Sequence, residues 1–314
     1  MLEQIFSMIF TTSFGYSIIR ITSPILFAAL AAVVAEKAGV TNIGLEGIMM
    51  ISALFGVLFA YWTSYWWVGV IGAVVVGIIL ALIIGVFALK LKTDIILAGI
   101  AINLVGSGGT IFLLYLFTGL KGNTASLTTP GMLTPKIDIP ILESIPILGP
   151  LTYVVFILVL LVWILLYKTA IGLQIRAVGE NSHAADSVGI SVLKIQYIAL
   201  GISGALSGLG GAYMSMYYSQ SWNTGIVAGR GFIALAAQAM GQGEPLGTMF
   251  ASLFFGFASA LGNKMEGMQG FSSFLVSAIP YLATIIGLIL YAATQVRRVK
   301  RVKNNGKKKN AEAK

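Results

Sequence analysis

Residues 68–89 read VGVIGAVVVGIILALIIGVFAL, 22 positions without one charged or amide side chain. A helix of that length is about 33 Å long and matches a hydrocarbon core of about 30 Å. Similar runs lie near 17–36, 44–61, 94–118, 150–167, 194–215, 246–262 and 276–294. Hydrophobic residues make up 57% of the 314 positions and charged residues only 10%; soluble domains carry about 25% charged residues. A soluble fold this apolar would expose large greasy faces. The sequence therefore predicts an all-α polytopic membrane protein of about eight to ten transmembrane helices.

A shorter run, 231–240 (GFIALAAQAM), cannot cross, and GQGEP follows it at 241–245. It reads as a broken or re-entrant half-helix, which membranes tolerate only inside protein. Pro280 interrupts 271–294, so that stretch is one tilted helix or two short ones.

The chain has no cysteine and one histidine, His183. Disulfides, zinc–thiolate sites and paired-histidine haem sites are excluded, and no metal site is expected. The net charge of +9 does not signal nucleic-acid binding. Nine of the 20 basic residues follow position 296, directly behind an apolar run. Residues 296–314 read as a disordered basic tail on the cytoplasmic side. Lys90, Lys92 and the linker from Lys168 to Lys194 belong on that side too. The cluster Tyr61, Trp62, Tyr65, Trp66 and Trp67 and the segment 119–149 fall opposite. Alternation of the spans closes only if 231–240 re-enters. Counting places the N-terminus outside unless residues 1–15 hide a further crossing. Met1-Leu2-Glu3 does not read as a cleaved signal, and the first helix is expected to target the chain.

One transmembrane domain, 1–295, is expected. Its halves, 15–168 and 194–295, form an inverted repeat joined by a cytoplasmic segment at 169–193. That segment contains a short surface helix. Asn181 or Ser182 caps it, and Gly189 ends it. It is either a plain connector or a docking element, with Arg176, Glu180 and Asp186 as a charged rim.

AIGLQIRAVGENSHAADSVGIS at 170–191 resembles the coupling segment of permease subunits of bacterial ABC importers. GVTNIGLEGIMMISA at 39–53 and RGFIALAAQAMGQGEPLG at 230–247 match in the same order. The likeness covers about residues 15–295 and lies in the branch for simple sugars, branched-chain amino acids and nucleosides. NIGLEG with AVGENSHAAD is most similar to the nucleoside or simple-sugar permeases.

The resemblance implies a transmembrane subunit that moves nucleosides across the cell membrane by alternating access, or else a pentose or other simple sugar. It implies a cytoplasmic ABC ATP-binding protein, a second and different permease chain, and an extracellular or periplasmic substrate-binding protein. ATP and Mg belong to the partner, so no cofactor is expected on this chain. The coupling residues would be Glu180, Asn181, His183, Ala184, Ala185, Asp186 and Gly189. No phosphate loop with its GK[ST] occurs, in keeping with hydrolysis elsewhere. An ion-coupled secondary transporter is the rival class. It would show an embedded charge cluster, for which Glu46 and Asp94 are the candidate acids. An enzyme is disfavoured by the lack of a catalytic constellation.

Candidate path residues follow from polar groups that interrupt spans. Asn42 is placed to cap the helix resuming after Gly44, with Glu46 in its first turn. Both serve as caps at a membrane edge, or they mark a transport site at a broken helix. Asn103, Gln238 and Asn263 brace helices or touch solute. Phe232 and tyrosines 213, 217 and 218 stack on a base or form an interfacial belt. Ser203, Ser207 and glycines 201, 204, 208, 210 and 211 make a small-residue face for helix packing or a sliding aperture. Glu244 has no evident partner in the sequence.

Overall fold

A computed structural model describes residues 11–125, 127 and 150–266, with 282, 285, 287 and 289. Its helices are α1 Thr12–Lys37, α2 Leu45–Thr63, α3 Trp66–Lys90, α4 Ile95–Thr118, α5 Pro150–Lys168, α6 Ala170–Glu180, α7 Ser182–Ser187, α8 Val192–Tyr218, α9 Arg230–Met240 and α10 Pro245–Glu266. Among the described residues, seven of these are long and apolar enough to cross a membrane. The protein is therefore an all-α multi-pass membrane protein, as its hydropathy predicts. Two compact units divide after Ala260. The smaller includes the end of α10, with Asn263 exposed, and the four helical positions of the 276–294 run. The rest of that run, Pro280, most of 119–149 and the basic tail lie outside the described residues.

In the larger unit, α1 and α2 are central. Every side chain from Ile25 to Ala35 is buried. α3 shows why one apolar helix can serve two solvents. Ile71, Val75, Ile79 and Ile83, four apart, are exposed and form the stripe that lipid would cover. Gly69, Ala73, Gly77 and Ala81, also four apart, are buried. A methyl group at Gly77 would collide with the Gly204 carbonyl, and one at Gly208 with that of Ala73. Small residues thus let the α3 and α8 backbones touch, and in lipid this close packing itself drives association. Gly210 and Gly211 press on α1 and α2. Gly201 meets nothing within 4 Å and takes no part in the seam.

α3, α4 and α8 each contain a π-helical turn, at Val86–Lys90, Val105–Gly109 and Tyr213–Tyr218. The last swings Tyr213 into the core. There its hydroxyl lies 3.0 Å from Thr152 Oγ1 and donates to the Arg20 carbonyl.

α9 has 11 residues and is about 16 Å long, half the thickness of a membrane. It is the predicted half-helix. The loop before it, 219–229, folds back into the bundle. Trp222 is wholly buried and its indole N–H donates to the Met50 carbonyl.

Candidate translocation path and coupling site

The break between α1 and α2 is built from amides and close backbone. Gly44, not Asn42, is the N-cap of α2. This corrects the predicted cap: Asn42 lies two residues earlier, and its Oδ1 accepts from Gly44 N to form the turn before the helix. The other end of the Asn42 amide donates to Ser203 Oγ at 3.0 Å, near the midpoint of α8. Asn103 braces the same break. It accepts from Gly47 N at 2.7 Å and donates to the Ile43 carbonyl at 3.0 Å. Gly47 must be glycine, because a methyl group would overlap the backbone of Ile102 and Asn103.

Glu46 does stand in the first turn of α2, as expected. Its carboxylate does more than sit near its own helix dipole. One oxygen accepts from Gly229 N at 2.8 Å and the other from Gly231 N at 2.7 Å. These amides belong to the start of α9, so a buried carboxylate on one broken helix closes the end of the other. The close approach needs Gly231, where a methyl group would overlap the Glu46 backbone. Gly229 adopts φ +78°, the left-handed conformation that glycine takes without strain.

Outward from this junction runs a column of cations and rings. The Arg230 guanidinium lies 5.1 Å from the centre of the Tyr218 ring and donates to the Val227 carbonyl. Arg20 lies 4.9 Å from the same ring and donates to the Tyr218 carbonyl at 2.6 Å. Phe232, a predicted path residue, is 51% exposed in the first turn of α9. Gln238 is half-buried further along it. Sequence reading passed over both arginines. Arg230 carried a signal, since a cation in the first turn of a helix opposes the dipole.

At the other end of α9 the chain turns through Gly243, at φ +66°, to Glu244. Glu244 is not without a partner: it bonds Lys37 Nζ at 2.8 Å and accepts from the Tyr167 hydroxyl. The ends of α1 and α5 and the start of α10 therefore meet. Partial burial works to raise the Glu244 carboxyl, but the bonds from Lys37 and Tyr167 and the charges of Lys37 and Arg176 outweigh it. Its pKa falls below the ordinary carboxylate value. Arg176 stacks over the Tyr167 ring at 4.8 Å. With Glu36, Gly179 and Glu180 these groups line a pocket of about 430 Å³.

The segment after α5 holds two helices, not one. Thr169 caps α6 by accepting from Gly172 N, and Asn181 caps α7 by accepting from Ala184 N. α7 ends at Gly189, φ +85°. α6 is locked to the bundle through Gly179, where a methyl group would strike the Lys37 carbonyl. Of the seven predicted coupling residues, Ala185 is covered by its own chain. Glu180, Asn181, His183, Ala184, Asp186 and Gly189 are uncovered or partly so, beside Val188 at 76% exposure.

The model of the family described as branched-chain amino acid transport system / permease component matches residues 16–295. The chain is 34% identical to the guanosine ABC transporter permease protein NupQ of Bacillus subtilis, covering 91% of this chain and 92% of that one. It is 31% identical to the nucleoside ABC transporter permease protein NupC of Lactococcus lactis, over 86% and 89%. It is also 31% identical to the putative glucose ABC transporter permease protein TsgC13 of Haloferax volcanii, over 80% and 77%. The solved structure of PsaBC from Streptococcus pneumoniae in complex with Fab shares the fold. The TM-score is 0.50 at 16% identity, covering 91% of this chain and 95% of that one.

Proposed function

The chain belongs to the family of branched-chain amino acid transport system permease components and is a permease subunit of an ABC importer; from that premise we propose that its cargo is a nucleoside. The observation that carries the choice is the pair of relatives named for guanosine and nucleosides, each matched over most of both chains. A simple sugar is the second reading, supported by the relative named for glucose.

A cytoplasmic ATP-binding protein engages the exposed faces of α6 and α7. A second permease chain of different sequence stands beside this one, and an external binding protein loads the outer mouth. ATP and Mg act on the partner, and no catalytic step falls to this chain. ATP-driven closure of the partner presses on α7. The push reaches α1 through Gly179 and reaches α9 through Lys37 and Glu244. Because α9 is tied at its other end to Glu46, its motion changes the outer mouth and the inner end together. Asn42, Glu46, Asn103, Gln238 and Phe232 border the moving junction. Of these, Phe232 and Gln238 are free to meet cargo, whereas Asn42, Glu46 and Asn103 hold the backbone in place. The basic tail lies in the cytoplasm.

Reconstitution of the full complex in vesicles tests this reading. ATP-dependent uptake of labelled guanosine or uridine, in excess over ribose and glucose, is expected. Uptake of a sugar alone would transfer the assignment to the second reading.

A further inference from the structure

We propose that Arg20, Tyr218 and Arg230 form a solute-recognition station in the outer half of the path, which takes a purine nucleoside by the acceptor edge of a 6-oxopurine base. The inference rests on the nucleoside reading above.

The station is a stack. Guanidinium groups stand 4.9 and 5.1 Å from the centre of one tyrosine ring. Arg20 lies toward the outer ends of α1 and α8. Arg230 starts at the level of Glu46, near the middle of the bundle. The line therefore runs from the mouth to the junction of the broken helices. Arg20 is exposed and Arg230 half-buried. An ionisable residue at such depth marks a solute pathway by default. A cation at the start of α9 opposes the helix dipole, and the buried Glu46 carboxylate at the same end is its counter-charge.

The chemistry on offer is narrow. A guanidinium has five N–H donors and no acceptor. Arg20 donates to the Tyr218 carbonyl and Arg230 to those of Val227 and Ile226, and each keeps other N–H donors for a ligand. O6 and N7 of a 6-oxopurine are two adjacent acceptors and suit an arginine in bidentate fashion. Adenine presents an amino donor beside N7, which meets donor with donor. The Tyr218 ring holds the two guanidinium groups, and the exposed Phe232 supplies a flat face on which a base stacks.

The test is uptake by the complete complex in vesicles, with the binding protein saturated in turn by guanosine and by 7-deazaguanosine, which lacks N7. The same binding protein loads every arm, so a change in the rate ratio belongs to the permease. The wild-type complex should move guanosine faster. Arg230→Lys keeps the charge but not the fork, and should reduce the ratio by about fivefold or more. Arg20→Lys, at the exposed end, gives the same reading if the first variant assembles poorly. A ratio unchanged in an assembled variant overturns the station and leaves the nucleoside reading standing. A wild-type complex that moves a sugar and neither nucleoside overturns both.

Discussion

Glu46 illustrates how one side chain can hold two helix ends at once. Its two oxygens close two backbone N–H groups of the α9 start in a place that water does not reach. Replacing it with Gln turns an amide donor toward one of those N–H groups. The cost of such a mismatch is about 1–3 kcal/mol. Glu46→Gln should lower the melting temperature of the purified complex and slow uptake together. An unchanged melting temperature with altered uptake would instead make Glu46 a contact for cargo. Glu244 has a different signature. Its pKa is depressed, so its bonds to Lys37 and Tyr167 stabilise the fold fully above the ordinary carboxylate value. That contribution fades as pH falls through the folded-state value, below 4.5. Thermal melts taken from neutral pH downward should show an acid-side loss that Glu244→Gln removes. The effect should be small, because the carboxylate is half exposed.

At the scale of elements, the docking proposed for α7 can be separated from its folding. Ala184 faces outward and Ala185 is covered by the chain itself. Ala184→Trp should leave a stable permease that binds its ATP-binding subunit poorly, as read by co-purification. Ala185→Trp should overfill the contact beneath α7 and destabilise the permease by about 1–3 kcal/mol, which a melt detects without any partner. Single cysteines at His183 and Ser187 should cross-link the ATP-binding subunit in native membranes. The long spans, the half-helix and α7 were legible because length, apolar runs and capping residues act locally. α6 was not singled out, since its amphipathic pattern sits inside a polar linker. The seam from Gly69 to Ala81 was overlooked for another reason. In a helix apolar on all sides, small residues are the only mark of a face.

For the whole molecule, the ends sort into two groups. Lys37, Tyr167, Glu244 and α7 gather at one end, and the α2–α3 turn with Tyr65 lies at the other. The distribution of basic residues predicts that the first group faces the cytoplasm. The chain has no cysteine, so single substitutions report sidedness without background. An impermeant maleimide should label Tyr65→Cys on intact cells, and Val188→Cys only after permeabilisation. The reverse pattern would invert the orientation. The seven described spans were legible at this scale, but the pairing of Glu46 with Gly229 and Gly231 was not. Partners 183 and 185 residues apart leave no periodic trace, and only the fold brings them together.

That separation also dictates an order of manufacture. A segment of 11 residues is too short to lodge across a bilayer by itself. Its leading amides find their acceptor on a helix made far earlier. When residues 229–231 leave the ribosome, Glu46 is already in the membrane and its carboxylate is waiting. A chain cut and rejoined so that 219–266 came first would deliver the short helix to a bilayer with nothing to receive it.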